Sequence, residues 1–127
     1  MYSHVMLGSN DLDRSKTFYD ALFAATGGKE GRVDPKGRLV YVNNGGILLI
    51  TKPIDGDTAS HGNGSTIGFA VDGPEQAQAW EKAGIAAGGT AIEDPPGVRS
   101  GMGVNLYLAY LRDPSGNKLC ALHRLPE

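Results

Sequence analysis

The sequence predicts an α+β domain built from two similar modules, and three observations point to it. The chain opens as an alternating strand that breaks at a polar cap and continues as an amphipathic helix. The same pattern returns when the first half is slid along by 62 residues, which sets Val5 on Ile67. Finally, two pairs of apolar runs are joined by tight-turn sequences, "NNGG" and "DPSG".

In Tyr2 to Gly8, Val5 and Leu7 face one side while His4, Met6 and Gly8 face the other, as a two-residue period requires. Asn10 is positioned to cap a helix, with Asp13 three residues on in a capping-box-like pair. Leu12, Phe18/Tyr19 and Leu22/Phe23 form its apolar stripe, and Gly27-Gly28 end it. Leu39 to Asn43 and Ile47 to Thr51 then read as strands. The "NNGG" between them supplies the positive-φ residues of a hairpin, so they are expected to pair antiparallel.

The 62-residue shift also lays Leu7 on Phe69, Asp13 on Glu75, Phe18 on Trp80, Ala24-Ala25 on Ala86-Ala87 and Gly27 on Gly89. In the second copy "STIGFAV" is the strand and Pro74 suits the first helical position. Ala77, Trp80, Ala83 and Ala87 face the core. A hairpin follows, Asn105 to Leu111 and Lys118 to His123, with Pro114 where a type I turn favours it. Two copies are too few for a solenoid. A pair of modules that each bury a helix against half of a curved mixed sheet is the expected architecture. Module one covers about 1–54, a linker about 55–64, and module two about 65–127, within a single domain.

Composition narrows the function classes. Twelve basic and fourteen acidic residues give a net charge of −2, with no Lys/Arg run for a phosphate backbone, so nucleic acid is not an expected partner. The single cysteine, Cys120, excludes an internal disulfide. No apolar run approaches the roughly 20 residues that span a bilayer, and no charged n-region precedes an apolar stretch. A soluble cytoplasmic protein without membrane partners is the expectation. Glycine, 19 of 127 residues, is about twice its usual share of roughly 7%, and clusters between the patterned segments, where positive φ and helix C-caps are needed.

With "SHVMLGSNDLDRSKTFYDAL" at one end and "LRDPSGNKLCAL" at the other, the chain resembles the vicinal oxygen chelate superfamily. That superfamily includes glyoxalase I, extradiol dioxygenases, and the bleomycin and fosfomycin resistance proteins. The resemblance runs from His4 to His123 and implies two βαβββ modules whose sheets form a cup around a ligand, often completed across a homodimer. Family enzymes commonly hold a divalent metal there. Carried over by position, the first-strand histidine is His4 and its counterpart is Thr66. The first module's carboxylate falls near Leu49, and that of the final strand at Cys120.

Only His4 of these four is a good ligand. Leucine has no donor, threonine is a poor neutral one, and cysteine suits zinc or copper better than the harder metals found with carboxylates. No Glu or Asp lies between Glu30 and Asp55 except Asp34, so the missing carboxylate does not depend on register. The metal site reads as degenerate. No cofactor is assigned, a divalent metal being the one that the resemblance would imply.

His4 is the candidate catalytic residue, as ligand or base, set against a plain structural role in a strand. The candidate ligand pocket comprises His4, Met6, Tyr41, Leu49, Thr66, Arg99, Tyr107 and Cys120. Tyr41 and Tyr107 offer an aromatic wall with a hydroxyl handle. Arg99 sits in "PPGVRSGMG", read as a mobile loop at the mouth whose guanidinium can hold a carboxylate or phosphate, or else is a solvated turn residue, and Arg38 is read the same way. Cys120 is read as a small core or pocket residue, His61 as part of the linker, and His123 as facing away from Cys120. The expected function is binding of a small organic molecule in the cup by a bleomycin-resistance-like protein. The alternative is a metal-dependent lyase or dioxygenase acting on a small oxygenated or thiol-conjugated metabolite. Fold alone does not choose between them.

Overall fold

The computed structural model describes residues 1–101 and 103–126. Module one runs β1 (Val5–Gly8), α1 (Leu12–Ala24), β2 (Arg32–Val33), β3 (Leu39–Asn43) and β4 (Gly46–Thr51). Module two runs β5 (Ile67–Ala70), α2 (Pro74–Ala86), β6 (Thr90–Ala91), β7 (Gly97–Gly101), β8 (Val104–Arg112) and β9 (Lys118–Arg124). The first strand and helix of each module keep the 62-residue offset at both ends, since Val5, Gly8, Leu12 and Ala24 become Ile67, Ala70, Pro74 and Ala86.

Hydrogen bonding runs within each module, so the strands form two mixed sheets. The first has the order β1-β4-β3-β2, with β1 parallel to β4. The second has the order β5-β9-β8, with β5 parallel to β9 and both β6 and β7 along the far side of β8. Thus β6 and β7 together take the place that β2 holds in module one. Pro95 and Pro96 lack amide donors, and Glu93 turns the chain at a φ of 58°, which breaks that strand in two.

Local chemistry accounts for most element ends. Asn44 and Gly45, at φ 49° and 79°, form the two-residue turn between β3 and β4. Pro74 opens α2 as expected. The cap of α1 is Asp11 rather than Asn10, its carboxylate accepting the Arg14 N–H at 3.1 Å. Asn10 is instead occupied by the linker. Its side chain accepts from Ala59 N at 2.7 Å and donates to Ala59 O at 3.2 Å, tying that segment beside Gly8.

Both helices lie in one core. Phe18, Tyr19, Leu22 and Phe23 of α1 and Ala77 and Trp80 of α2 cluster with Leu48 and Ile50 of one sheet and Leu111 and Leu119 of the other. α2 buries Gly84 along with Ala77 and Trp80, whereas Ala83 and Ala87 are only partly buried. A Cβ at Gly84 would run into Leu111 Cδ1 and sit 3.1 Å from Leu22 Cδ1, so its absence lets the two helices meet. The modules therefore dock through their helix sides, and the opposite faces of the two sheets point away from this core.

The "DPSGN" turn of module two holds module one at α1 and at the end of β1. The Tyr19 hydroxyl donates to Asp113 Oδ2 at 2.6 Å, and the Asn117 side chain donates to Gly8 O at 2.9 Å. Asp113 Oδ1 accepts the Ser115 and Asn117 amides, both at 2.9 Å.

Gly84→Leu tests the helix crossing. Overpacking costs about 1–3 kcal/mol and outweighs the roughly 1 kcal/mol that leucine gains over glycine in helix propensity. Urea unfolding is expected to show a net loss of up to about 2 kcal/mol.

Candidate functional site

Strand parity divides the candidate residues between two faces. On the outer face of the first sheet Met6 lies opposite Leu49, which in turn lies opposite Val40, while Ile47 pairs with Val42. His4 precedes β1 and is exposed, its Nδ1 2.8 Å from Ser3 Oγ. Thr66 precedes β5 and is also exposed. On the outer face of the second sheet Cys120 lies beside Gly68 on one strand and Tyr110 on the other. Leu49 and Cys120 hold equivalent places, each paired to the second residue of its module's first strand.

The two tyrosines do not join this face. Tyr41 is buried on the helix side, its hydroxyl donating to Asp20 Oδ1 at 2.7 Å and its ring stacked on Phe23 at 4.9 Å. Tyr107 shares a face with Ala109 and Leu111 and accepts from Gln78 Nε2 at 2.8 Å. Both alternate with the outward residues of their strands, so neither forms a wall beside His4 and Met6.

Arg99 stands in β7, a paired strand, where the sequence suggests a mobile loop; Met102 of that stretch lies outside the described residues. Its Nη2 donates to the carbonyls of Asp94 and Pro95 at 3.0 Å each, which commits that nitrogen to its own turn. Arg38 is likewise committed, pairing with Asp34 at 2.6 Å to close a turn. His61 packs over the "DPSG" turn, so close that a Cβ at Gly116 would lie 3.1 Å from its Nδ1. His123 Nδ1 lies 3.2 Å from Val71 O.

Cys120 has neighbours that the strand pattern alone does not announce. Lys118 pairs with Glu93 and places its ammonium 5.1 Å from the centre of the Tyr110 ring. Burial pushes the Cys120 thiol up, against the lowering effect of a hydrogen bond with Tyr110. Burial likewise raises Tyr110. The "DPSG" turn sets Lys118 opposite Arg112, so the Cys120–Tyr110 pairing is readable from the hairpin register once that turn is placed. Among the described residues, no group of three or more His, Cys, Asp or Glu is arranged to hold a metal ion.

The helix side of the sheets carries a cavity of about 280 Å³ where the modules meet. Phe23, Tyr41, Phe69 and Trp80 supply its rings, and Val5, Leu48 and Ile67 its aliphatic wall. The sequence marks these residues as core, and nothing in their spacing reveals the space between them. Asp20, behind Tyr41, is pushed up by burial, but the Gly31 amide, Lys16 and the Tyr41 hydroxyl together outweigh this and hold its carboxyl below the usual range.

A two-module α+β fold with paired parallel-antiparallel sheets and helix-side docking is the class that this architecture defines. The chain belongs to the Glyoxalase/Bleomycin resistance protein/Dioxygenase superfamily, whose model matches residues 2–121. No curated protein matches it. A glyoxalase/bleomycin resistance protein from Albidiferax ferrireducens T118 is similar at 56% identity and a TM-score of 0.93, over 98% of this chain and 99% of that one. A glyoxalase/bleomycin resistance protein/dioxygenase family enzyme from Burkholderia phytofirmans shares the fold at 19% identity and a TM-score of 0.71, over 97% and 98% of the two chains. Lactoylglutathione lyase from Agrobacterium tumefaciens does so at 19% identity and 0.66, over 96% and 92%. No helix among the described residues is long and apolar enough to cross a membrane.

Two measurements follow from the titrating groups. Cys120, only 5% exposed and with its thiol raised, is expected to react with a thiol reagent at least about 100-fold more slowly in native than in urea-unfolded protein at pH 7. Because the folded Asp20 carboxyl is depressed, its stabilisation is present above its unfolded pKa and lost as pH falls through the folded value. Asp20→Asn is expected to flatten the fall in thermal midpoint below about pH 4.

Proposed function

We propose that this chain binds a small, largely apolar organic molecule without a metal, in a cup formed by the outer sheet faces and closed by a second copy of the chain. The observation that carries this reading is the outer face of the first sheet. There Met6, Ile47 and Val42 are 41%, 40% and 55% exposed, beside the partly buried Leu49 and Val40. A contiguous aliphatic patch of this kind on a single chain favours a ligand or a partner surface. The second sheet brings Cys120, Tyr110 and Leu122 on its corresponding face, which suits the other half of a cup.

The donor set argues against a catalytic divalent metal. Such a site takes about three protein ligands of matching hardness. Of the four family positions, Leu49 has no donor, exposed Thr66 offers a neutral hydroxyl, and Cys120 is a buried thiol held protonated. His4 alone of the four suits a metal, and Glu93, whose charge acts on Cys120, is paired with Lys118. The residues do not fit the group.

Mass spectrometry of protein incubated separately with zinc, nickel, manganese and iron, then desalted, is expected to find substoichiometric metal. About one ion per chain, lost in His4→Ala, would overturn the reading in favour of a metal-dependent lyase or dioxygenase. Sedimentation is expected to give a dimer, and Val42→Asp a folded monomer. A wild-type chain that stays monomeric at high micromolar concentration would contradict the shared cup.

A further inference from the structure

We infer that the cavity between the modules is a second ligand site, for a neutral planar aromatic molecule of one or two fused rings. It is distinct from the proposed cup and does not rest on it. Its inner lining, Val5, Leu48 and Ile67, alternates along the strands with His4, Leu49 and Thr66, so the body of the cavity lies on the sheet face opposite the cup, the two adjoining only at Ile47 and Gly68.

Three features set the ligand class. The volume, about 280 Å³, lies just below the ~300–1,000 Å³ usual for small-molecule pockets, which limits the guest to one or two rings. The aromatic walls present both faces and edges. Phe23 stacks on Tyr41 at an interplanar angle of 21°, Phe69 meets Phe23 at 90°, and Trp80 lies at 48° to Phe69. Aromatic pairs prefer such offset and edge-to-face arrangements, so a flat ring enters a surface already shaped for it. Charge complementarity gives the third. None of the described lining residues is charged, and an ion would lose its hydration without gaining a partner. The exposed lining residues Asn44, Gly46 and Ile47 mark the mouth, where the Asn43 and Asn44 carboxamides offer a hydrogen-bonding handle.

Titration of ¹⁵N-labelled protein with indole tests this, because Trp80 is the only tryptophan and its ring N–H gives one resolved signal. Saturable shifts of that signal and of the Ile67 and Phe69 amides are expected, with a Kd below about 1 mM. Val5→Phe, which fills the space, and Thr26→Tyr at the end of α1, which narrows it, should each weaken binding at least about tenfold. The second variant serves if the first does not fold. Indole-3-carboxylate and tryptamine should bind at least about tenfold more weakly than indole. Met6→Asp, which would spoil the outer cup, should leave indole binding unchanged, so failure of the cup and failure of the cavity are separable. The inference is overturned by shifts confined to Met6, Val42 and Leu49, by loss of binding in Met6→Asp, by no saturation, or by equal affinity for the charged analogues or of both cavity variants.

Discussion

The buried carboxylate of Asp113 organises the molecule. It is 4% exposed and accepts four hydrogen bonds, from the Ser115 and Asn117 amides, the Asn117 side chain and the Tyr19 hydroxyl. Taking a carboxylate from water is costly unless every lone pair finds a donor, and here the donors come from both modules. The same interactions close the hairpin between β8 and β9, seat that hairpin on α1, and leave Asn117 free to donate to the end of β1. Burial, followed by the nearby Asp113 charge, pushes the Tyr19 phenol well above its ordinary range, so it remains a donor across the whole working pH range.

Holding the modules at their helix sides decides what is left for function. The outer faces of both sheets point away from the core, and β1 and β5 each remain at a sheet edge. The first face is aliphatic where a metal enzyme of the family would need a carboxylate, and the second holds a protonated thiol against a tyrosine. On the inner side, two helices and two twisted sheets do not close perfectly, and the space that remains is walled by rings. The same docking therefore leaves both an open outer face and an inner cavity.

Much of this was legible in the sequence because the repeat is physical. A strand of period two followed by a helix of period 3.6 can be laid on its second copy, and the offset of 62 relates the two helices end for end. The hairpins were legible through Asn44-Gly45 and Pro114, whose backbone preferences are local. The edge strand of module two was not, because β6 is only two residues long, β7 begins and ends in glycine, and both are held only by β8. The faces of Tyr41 and Tyr107 are open to parity, since each sits two residues from a buried leucine or alanine; Tyr41 does wall a cavity, but on the helix side, and Asp20 and Gln78 take the two hydroxyls. Asn10 lost the helix cap to Asp11 through a contact with Ala59, 49 residues away, which no local rule anticipates. The cavity was invisible for a similar reason: a list of core residues does not say how well they close.

A double-mutant cycle on Tyr19→Phe and Asp113→Asn, followed by urea unfolding, tests most directly whether one carboxylate couples the modules. Hydrogen bonds to charged groups contribute about 1.5–3 kcal/mol, so a coupling energy of that size is expected, with both single variants destabilised. A coupling energy near zero, with the two losses simply adding, would contradict the account and leave apolar packing around Gly84 as what holds the modules together.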